Sequence, residues 1–142
     1  MTTQTFEEYH TGEWLRQKVE AVGAPTQMQF YMDLIPADKS LPAVRASVQS
    51  RDDVRGIGDE RERIMTRLDW LIVVVHEGHL ISPLLPYVVA LDNALHNQTG
   101  TTAKIIVLSC VRLEPFSLLE PEDSGVMYRH AGGVYRTMVQ SP

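Results

Sequence analysis

The sequence predicts an α+β domain in which a mostly antiparallel sheet of about four to five strands carries two main helices on one face. Apolar residues recur at helical spacing in two stretches, one near the N-terminus and one in the middle of the chain. Stretches that alternate apolar and polar residues lie on both sides of that central helix. Strands that flank a helix in this order are typical of an antiparallel sheet with its helices on one face.

The first helix is predicted between Phe6 and Val22. Gly23 supplies a C-terminal stop. Gly12 lies inside this stretch and Thr11 is a suitable cap for a new helix, so one helix or two fit equally well. The apolar positions near helical spacing are Phe6, Tyr9, Trp14, Leu15, Val19 and Val22.

The strands before the central helix differ in length. Gln27 to Ile35 alternates in part and ends at Pro36, and Val44 to Val48 alternates with polar residues. The longest strand is predicted from Ile64 to Val75. One of its faces is apolar except at Thr66, whereas the other begins polar and ends apolar. We expect that second face to start in solvent and to end beneath a helix or another subunit.

The second half of the chain begins with a helix at Ser82-Pro83, where Ser82 is a candidate cap and proline costs little. A strand from Lys104 to Leu113 follows, and Pro115 is expected to end it. The last strand runs from Val126 to Val139 and is expected to bend or bulge at Gly132-Gly133. The stripe that would bury the helix is Leu84, Val88, Leu91 and Leu95.

The segment from Ser50 to Arg63 is the polar centre of the chain and is predicted to be an exposed loop around two glycines. Three interpretations remain open: a solvated loop, an interface loop that pairs arginines with carboxylates of a neighbour, or a phosphate contact, which the acids disfavour. The candidate interface residues are Arg51, Arg55, Asp59, Glu60, Arg61 and Arg63.

Length and composition limit the class of protein. The 142 residues fit one domain, residues 1–142, and 44% hydrophobic residues are ordinary for a globular chain. A net charge of −5 argues weakly against a dedicated nucleic-acid binder. Cys110 is the only cysteine, which suits a reducing compartment. No signal peptide or membrane-spanning run is seen, so we expect a soluble protein made in a cytoplasm.

No catalytic apparatus is recognised, and no enzyme activity, cofactor or metal is predicted. His76 and His79 flank a glutamate, but zinc proteases space their histidines four apart on a helix. A metal would need a third ligand from His10, His96, His130 or a carboxylate. Cys110 lies in a predicted strand, where a buried and inert thiol is expected.

The order of elements resembles the tail terminator and tail-completion proteins of long-tailed bacteriophages, a family that includes the tail-terminating subunits of phage-like gene transfer particles. The likeness spans most of the chain: a first helix, a strand pair joined through Arg51–Arg63, a helix opened by Ser82-Pro83, and two final strands. The closing stretch Tyr128–Arg136, which contains tyrosines and two glycines, is the part most similar to the family.

The resemblance implies a structural virion protein at the tail-neck junction, assembled in the host cytoplasm. Such subunits form a ring, typically a homohexamer, that caps the tail tube and ends its polymerisation. The implied partners are the tail tube protein, a neck or head-completion protein, and DNA that passes through the lumen without specific binding. Two alternatives stay open: another head-tail connector or neck adaptor, and a small metal-dependent enzyme using His76 and His79.

Overall fold

The computed structural model describes residues 6–56, 59–122 and 124–142, and for residues 55, 56 and 59–64 it describes the backbone alone. Two helices, a short 3-10 turn at Ser82–Leu84 and six strands make up this part of the chain. The elements are α1 (Phe6–Glu20), β1 (Phe30–Met32), β2 (Ala43–Gly56), β3 (Asp59–Glu77), α2 (Leu85–Leu95), β4 (Gly100–Thr101), β5 (Ile106–Pro121) and β6 (Met127–Gln140).

The strands form one mixed sheet in the order β1-β2-β3-β6-β5-β4. Among the described strands, only the β1–β2 pair is parallel. The α+β class is therefore confirmed, with six strands instead of four to five. The additional strand is β4, whose two residues are too few to leave a periodic signal in the sequence.

The hydrophobic core lies between the helices and one face of the sheet. Alternate residues of β3 bury their side chains there, as predicted for the long strand, and the stripe on α2 packs against them. No helix in the described part of the chain is long and apolar enough to cross a membrane. The largest fully buried side chains of the core are Trp70, Tyr135, Phe30, Leu15 and Met28.

Helix α1 is one continuous helix, and Gly12 explains how closely it approaches the sheet. A Cβ at Gly12 would lie 3.2 Å from Met32 Sδ and 3.7 Å from the Trp70 ring, so glycine admits the thioether and the indole beneath the helix. The predicted apolar face is wrong at its start. Phe6 and Tyr9 are exposed, and the helix instead buries Glu7, Glu8, Thr11, Gly12, Trp14, Leu15 and Val19.

The polar segment Ser50–Arg63 is largely strand, contrary to the predicted loop. β2 continues to Gly56 and β3 begins at Asp59, and these two residues are the last pair between the strands. A two-stranded ribbon without a packed face carries polar residues on both sides, and its sequence therefore lacks the apolar alternation that identifies a strand. Polar side chains contact each other across the two strands instead: Asp53 Oδ1 accepts a hydrogen bond from Thr66 Oγ1 at 2.9 Å.

β5 and β6 also differ from prediction. β5 runs through Pro115 to Pro121, since beyond Arg112 it pairs with β6 alone, and an edge strand accepts proline. β6 pairs with β3 without any register shift, so Gly132-Gly133 is not a bulge. The register shifts of the β5–β6 pair lie in β5, between Val107 and Ser109 and between Arg112 and Glu114.

Ser82 does not cap α2. Ile81 and Leu84 occupy the cap positions without any side-chain hydrogen bond.

The second face of β3 is covered from within the chain. Val73 and Val75 are buried, as the apolar end of that face predicted. The segment of residues 34–41, which follows β1, lies on this face near Val75, where a helix or another subunit was expected. This cover leaves a groove, described below.

Candidate functional site

The β2–β3 pair extends beyond the rest of the sheet. The first β3 residue that pairs with β6 is Thr66, so residues 54–56 and 59–65 form a ribbon of two strands, here called the charged ribbon. β2 gains a parallel partner only at Val44–Ala46, because β1 is short. The ribbon therefore offers main-chain edges and charged positions at one end of the molecule.

Arg51 lies at the base of the charged ribbon and is already engaged within the chain. Its Nη1 donates to Glu8 Oε1 at 2.7 Å, which ties β2 to the start of α1. The Arg51 side chain is still 45% exposed. The side chains of the other candidate interface residues lie outside the described part of the structure: Arg55, Asp59, Glu60, Arg61 and Arg63.

An aromatic patch lies on α1 next to Glu8, the partner of Arg51. Phe6 and Tyr9 are each about half exposed, and His10 contacts both rings edge-on, with centroid distances of 4.4 and 5.1 Å. Aromatic residues and arginine are enriched in the cores of protein interfaces. Arg51 and this patch are therefore two exposed features near the start of α1.

A second apolar surface lies at the start of α2. Ile81, Leu85 and Val89 are spaced four residues apart and are 38%, 48% and 58% exposed; we call them the apolar ridge. They lie beside the buried stripe, so the apolar surface of this part of the chain extends beyond the face that meets the core. The prediction of this helix from its buried stripe alone missed these residues, although their spacing of four is present in the sequence.

The outer edge of β5 is a third surface. Near its start the edge is closed: Asn97 N donates to the Cys110 carbonyl at 2.8 Å, and Arg112 N donates to His96 Nδ1 at 3.0 Å. From Leu113 to Pro121 β6 is the only described neighbour of β5. Leu113 and Leu118 on this stretch are 46% and 44% exposed, which makes the edge apolar as well as unpaired.

The histidine pair lies at the other end of β3, away from the charged ribbon. His76 is in the strand, and His79 follows Gly78, whose φ of +134° turns the chain. The described part of the chain holds no group of three metal-ligating side chains. The three other histidines are held elsewhere: His10 in the aromatic patch, His96 against β5, and His130 in β6.

Comparison with known proteins supports the fold. No protein-family model matches the sequence, and no curated protein matches it. Among solved structures, the chain is similar to a chain of the virion of a native gene transfer agent particle, with 15% sequence identity and a TM-score of 0.58. The similarity covers 88% of this chain and 90% of the other, so it extends over nearly the whole fold of both.

Proposed function

We propose that this chain is a structural subunit of a phage-like particle, and that it forms a ring that caps the tail tube. The ring ends tail polymerisation and joins the tail to the head through the neck. One observation carries the proposal: the fold is shared, over nearly its whole length, with a chain of a gene transfer agent virion. The proposed subunit is a single terminator-like domain of residues 1–142, and its proposed assembly is a homohexamer.

The exposed surfaces support a ring. A closed ring needs two different contact surfaces on each subunit, because each copy meets its two neighbours head to tail. The apolar ridge and the free edge of β5 are two such surfaces, each apolar and each formed by a different element. Burying one against the other would remove both from water.

The charged ribbon supports contacts along the ring axis. It extends past the sheet, and Arg51 at its base is partly exposed. Bidentate pairing between arginines and carboxylates gives such a surface specificity for a partner of complementary charge. We therefore propose that Arg51, Arg55, Asp59, Glu60, Arg61 and Arg63 contact the tail tube protein or the neck protein.

Solution mass is the first test of the ring. Light scattering on a sizing column, over a range of concentrations and with and without tail tube protein, should show a discrete oligomer near six copies. Leu85→Glu places a charge on the apolar ridge and should raise the protein concentration needed for assembly at least ~10-fold. Leu108→Glu is the matched control, because Leu108 is 40% exposed but lies outside the ridge.

Tube polymerisation is the second test. Adding the chain to polymerising tail tube protein should fix the length of the tubes, and reversing Arg55 and Arg61 to Glu should abolish this effect while leaving the oligomer intact. A ring that ignores the tube but binds neck or head proteins would identify a connector or neck adaptor instead. A persistent monomer that binds neither partner contradicts the proposal.

A further inference from the structure

A groove of about 320 Å³ lies on the second face of the sheet. Arg45 pairs with Val73 across β2 and β3, and His130 pairs with Val75 across β3 and β6. Val73 and Val75 are two residues apart and share a face, so Arg45 and His130 lie on that same face, on opposite sides of β3. The segment of residues 34–41 closes the groove over them.

Buried polar atoms line this groove without partners. His130 is only 5% exposed, and neither of its ring nitrogens has a hydrogen-bond partner within the described residues. Arg45 Nε is also buried without a hydrogen-bond partner among the described residues. The nearest acid is Glu120, whose Oε1 is 3.5 Å from His130 Nε2 and so forms a long contact only. A buried donor without an acceptor is unfavourable, which favours a ligand that brings one.

The protonation state of the His130 imidazole agrees with its lack of hydrogen-bond partners. Burial first, and then the neighbouring Arg45 charge, lower the pKa of His130, while Glu120 opposes them. The ring is therefore neutral at pH 7 and offers one N–H donor. Lys39, Glu120, Glu122 and Tyr128 are the other titratable groups that face the groove.

The lining selects the kind of ligand. A guanidinium pairs best with the planar oxygens of a carboxylate, and the imidazole N–H can donate to the same group. The aliphatic side chains of Leu34, Ile35 and Leu41 form one wall, which suits a short apolar group beside the carboxylate. Glu120 and Glu122 line the groove as well, and their charges repel a multiply charged phosphate or a nucleic-acid backbone more strongly than a singly charged carboxylate.

We propose that this groove binds a carboxylate side chain, adjacent in sequence to an aliphatic residue, on a partner polypeptide, with Arg45 and His130 as its donors. The site goes beyond the proposed ring: neither Arg45 nor His130 belongs to the charged ribbon, the apolar ridge or the free edge of β5, and of the lining only Glu120 lies on that edge. The result of a binding test at this groove is therefore separate from the result of a test of the capping function.

The test is titration of the full chain with acetyl-Leu-Glu-amide, followed through the NMR signals of the His130 ring and the Val75 methyl groups. We expect saturable shifts at both. The isosteric acetyl-Leu-Gln-amide should bind at least ~10-fold more weakly, because it lacks the charge that pairs with the guanidinium. Inorganic phosphate is the competing probe, and it should bind more weakly than the Glu peptide.

Two variants assign the effect. Arg45→Met should lose at least ~10-fold in affinity for the Glu peptide. Arg67→Met should leave it unchanged, since Arg67 lies on the same face but pairs with Asp52 outside the groove. Equal binding of the two peptides, no saturable shift, tighter binding of phosphate, or equal losses in both variants would each overturn the proposal. Unfolding of Arg45→Met would also overturn it, because Arg45 would then be a structural residue.

Discussion

Single atoms decide how closely the central strands approach. A Cβ at Gly132 would overlap the Ile72 carbonyl oxygen and would lie 2.8 Å from Val73 Cα, both in β3. A Cβ at Gly133 would lie 2.8 Å from the Glu114 carbonyl oxygen in β5. The glycine pair therefore lets β6 pack tightly against both of its neighbours in the sheet, which is a different role from the bend that the sequence suggested.

Gly132→Ala should lower the free energy of unfolding by about 3 kcal/mol, because backbone atoms of β3 cannot yield to the added methyl group. Gly23→Ala is the matched control, since nothing lies within 4 Å of the position of its Cβ. We expect a change within about 0.5 kcal/mol for the control. Urea denaturation of both variants measures the difference, and similar stabilities would show that β6 can shift away from β3.

Cys110 should react slowly with thiol reagents. The side chain is fully buried, and burial first, then the charge of Asp92, raise its pKa to about 12. Thiolate, the reactive form, is therefore scarce at pH 8 as well as inaccessible. We expect labelling of the native chain by an aromatic disulfide to be at least ~100-fold slower than labelling in denaturant. Comparable rates would mean that β5 opens readily from the sheet.

At the scale of elements, a side-chain pair joins the two central strands on the second face. Arg136 in β6 donates to both carboxylate oxygens of Asp69 in β3, at 2.9 and 3.0 Å, and Ser50 Oγ donates to the same carboxylate at 3.2 Å. These hydrogen bonds favour the ionised carboxylate, with Arg136 the largest contributor, so the pKa of Asp69 lies below its usual value.

This pair should make stability depend on pH in the acid range. The lowered pKa in the folded state stabilises the fold above the unfolded pKa of about 3.9, and that contribution is lost as pH falls through the folded pKa. Asp69→Asn should thus be less stable than the wild type above about pH 5, and this difference in stability should begin to shrink near pH 4 and vanish only below the folded pKa of Asp69. Arg136→Lys should keep part of the pH-dependent stabilisation, because lysine keeps the positive charge but not the bidentate geometry. A difference in stability independent of pH would contradict this account.

At the scale of the whole molecule, the proposed conduit should not bind DNA. The chain carries a net charge of −5, and sequence-independent binding depends on clustered cations. Fluorescence anisotropy with a short duplex at ~150 mM salt should give a dissociation constant weaker than about 10⁻⁴ M, for the free chain and for the assembled oligomer. Tight binding that weakens steeply with salt would indicate a basic lumen and would contradict unhindered DNA transit.

The sequence by itself determined the class of fold and most of the elements. The stripe of α2, the long strand ending at Val75 and the last strand carry strong periodicity, because each buries one face in the core. Elements that bury no face leave no such pattern. The pairing of Arg51–Gly56 with β3 was therefore hidden in the sequence, and so was the passage of β5 through Pro115.

Only the tertiary structure decided which residues form sites. It brought Arg51 to Glu8 across 43 positions of the chain, and it placed Arg45 and His130 on two sides of β3, above the same groove. It also left Leu85 exposed although Leu84 and Leu91 are buried. Periodicity reports which face of an element meets the core, because burial is what selects apolar residues; it does not report which elements become neighbours. That depends on strand order and helix docking, which distant parts of the chain fix together.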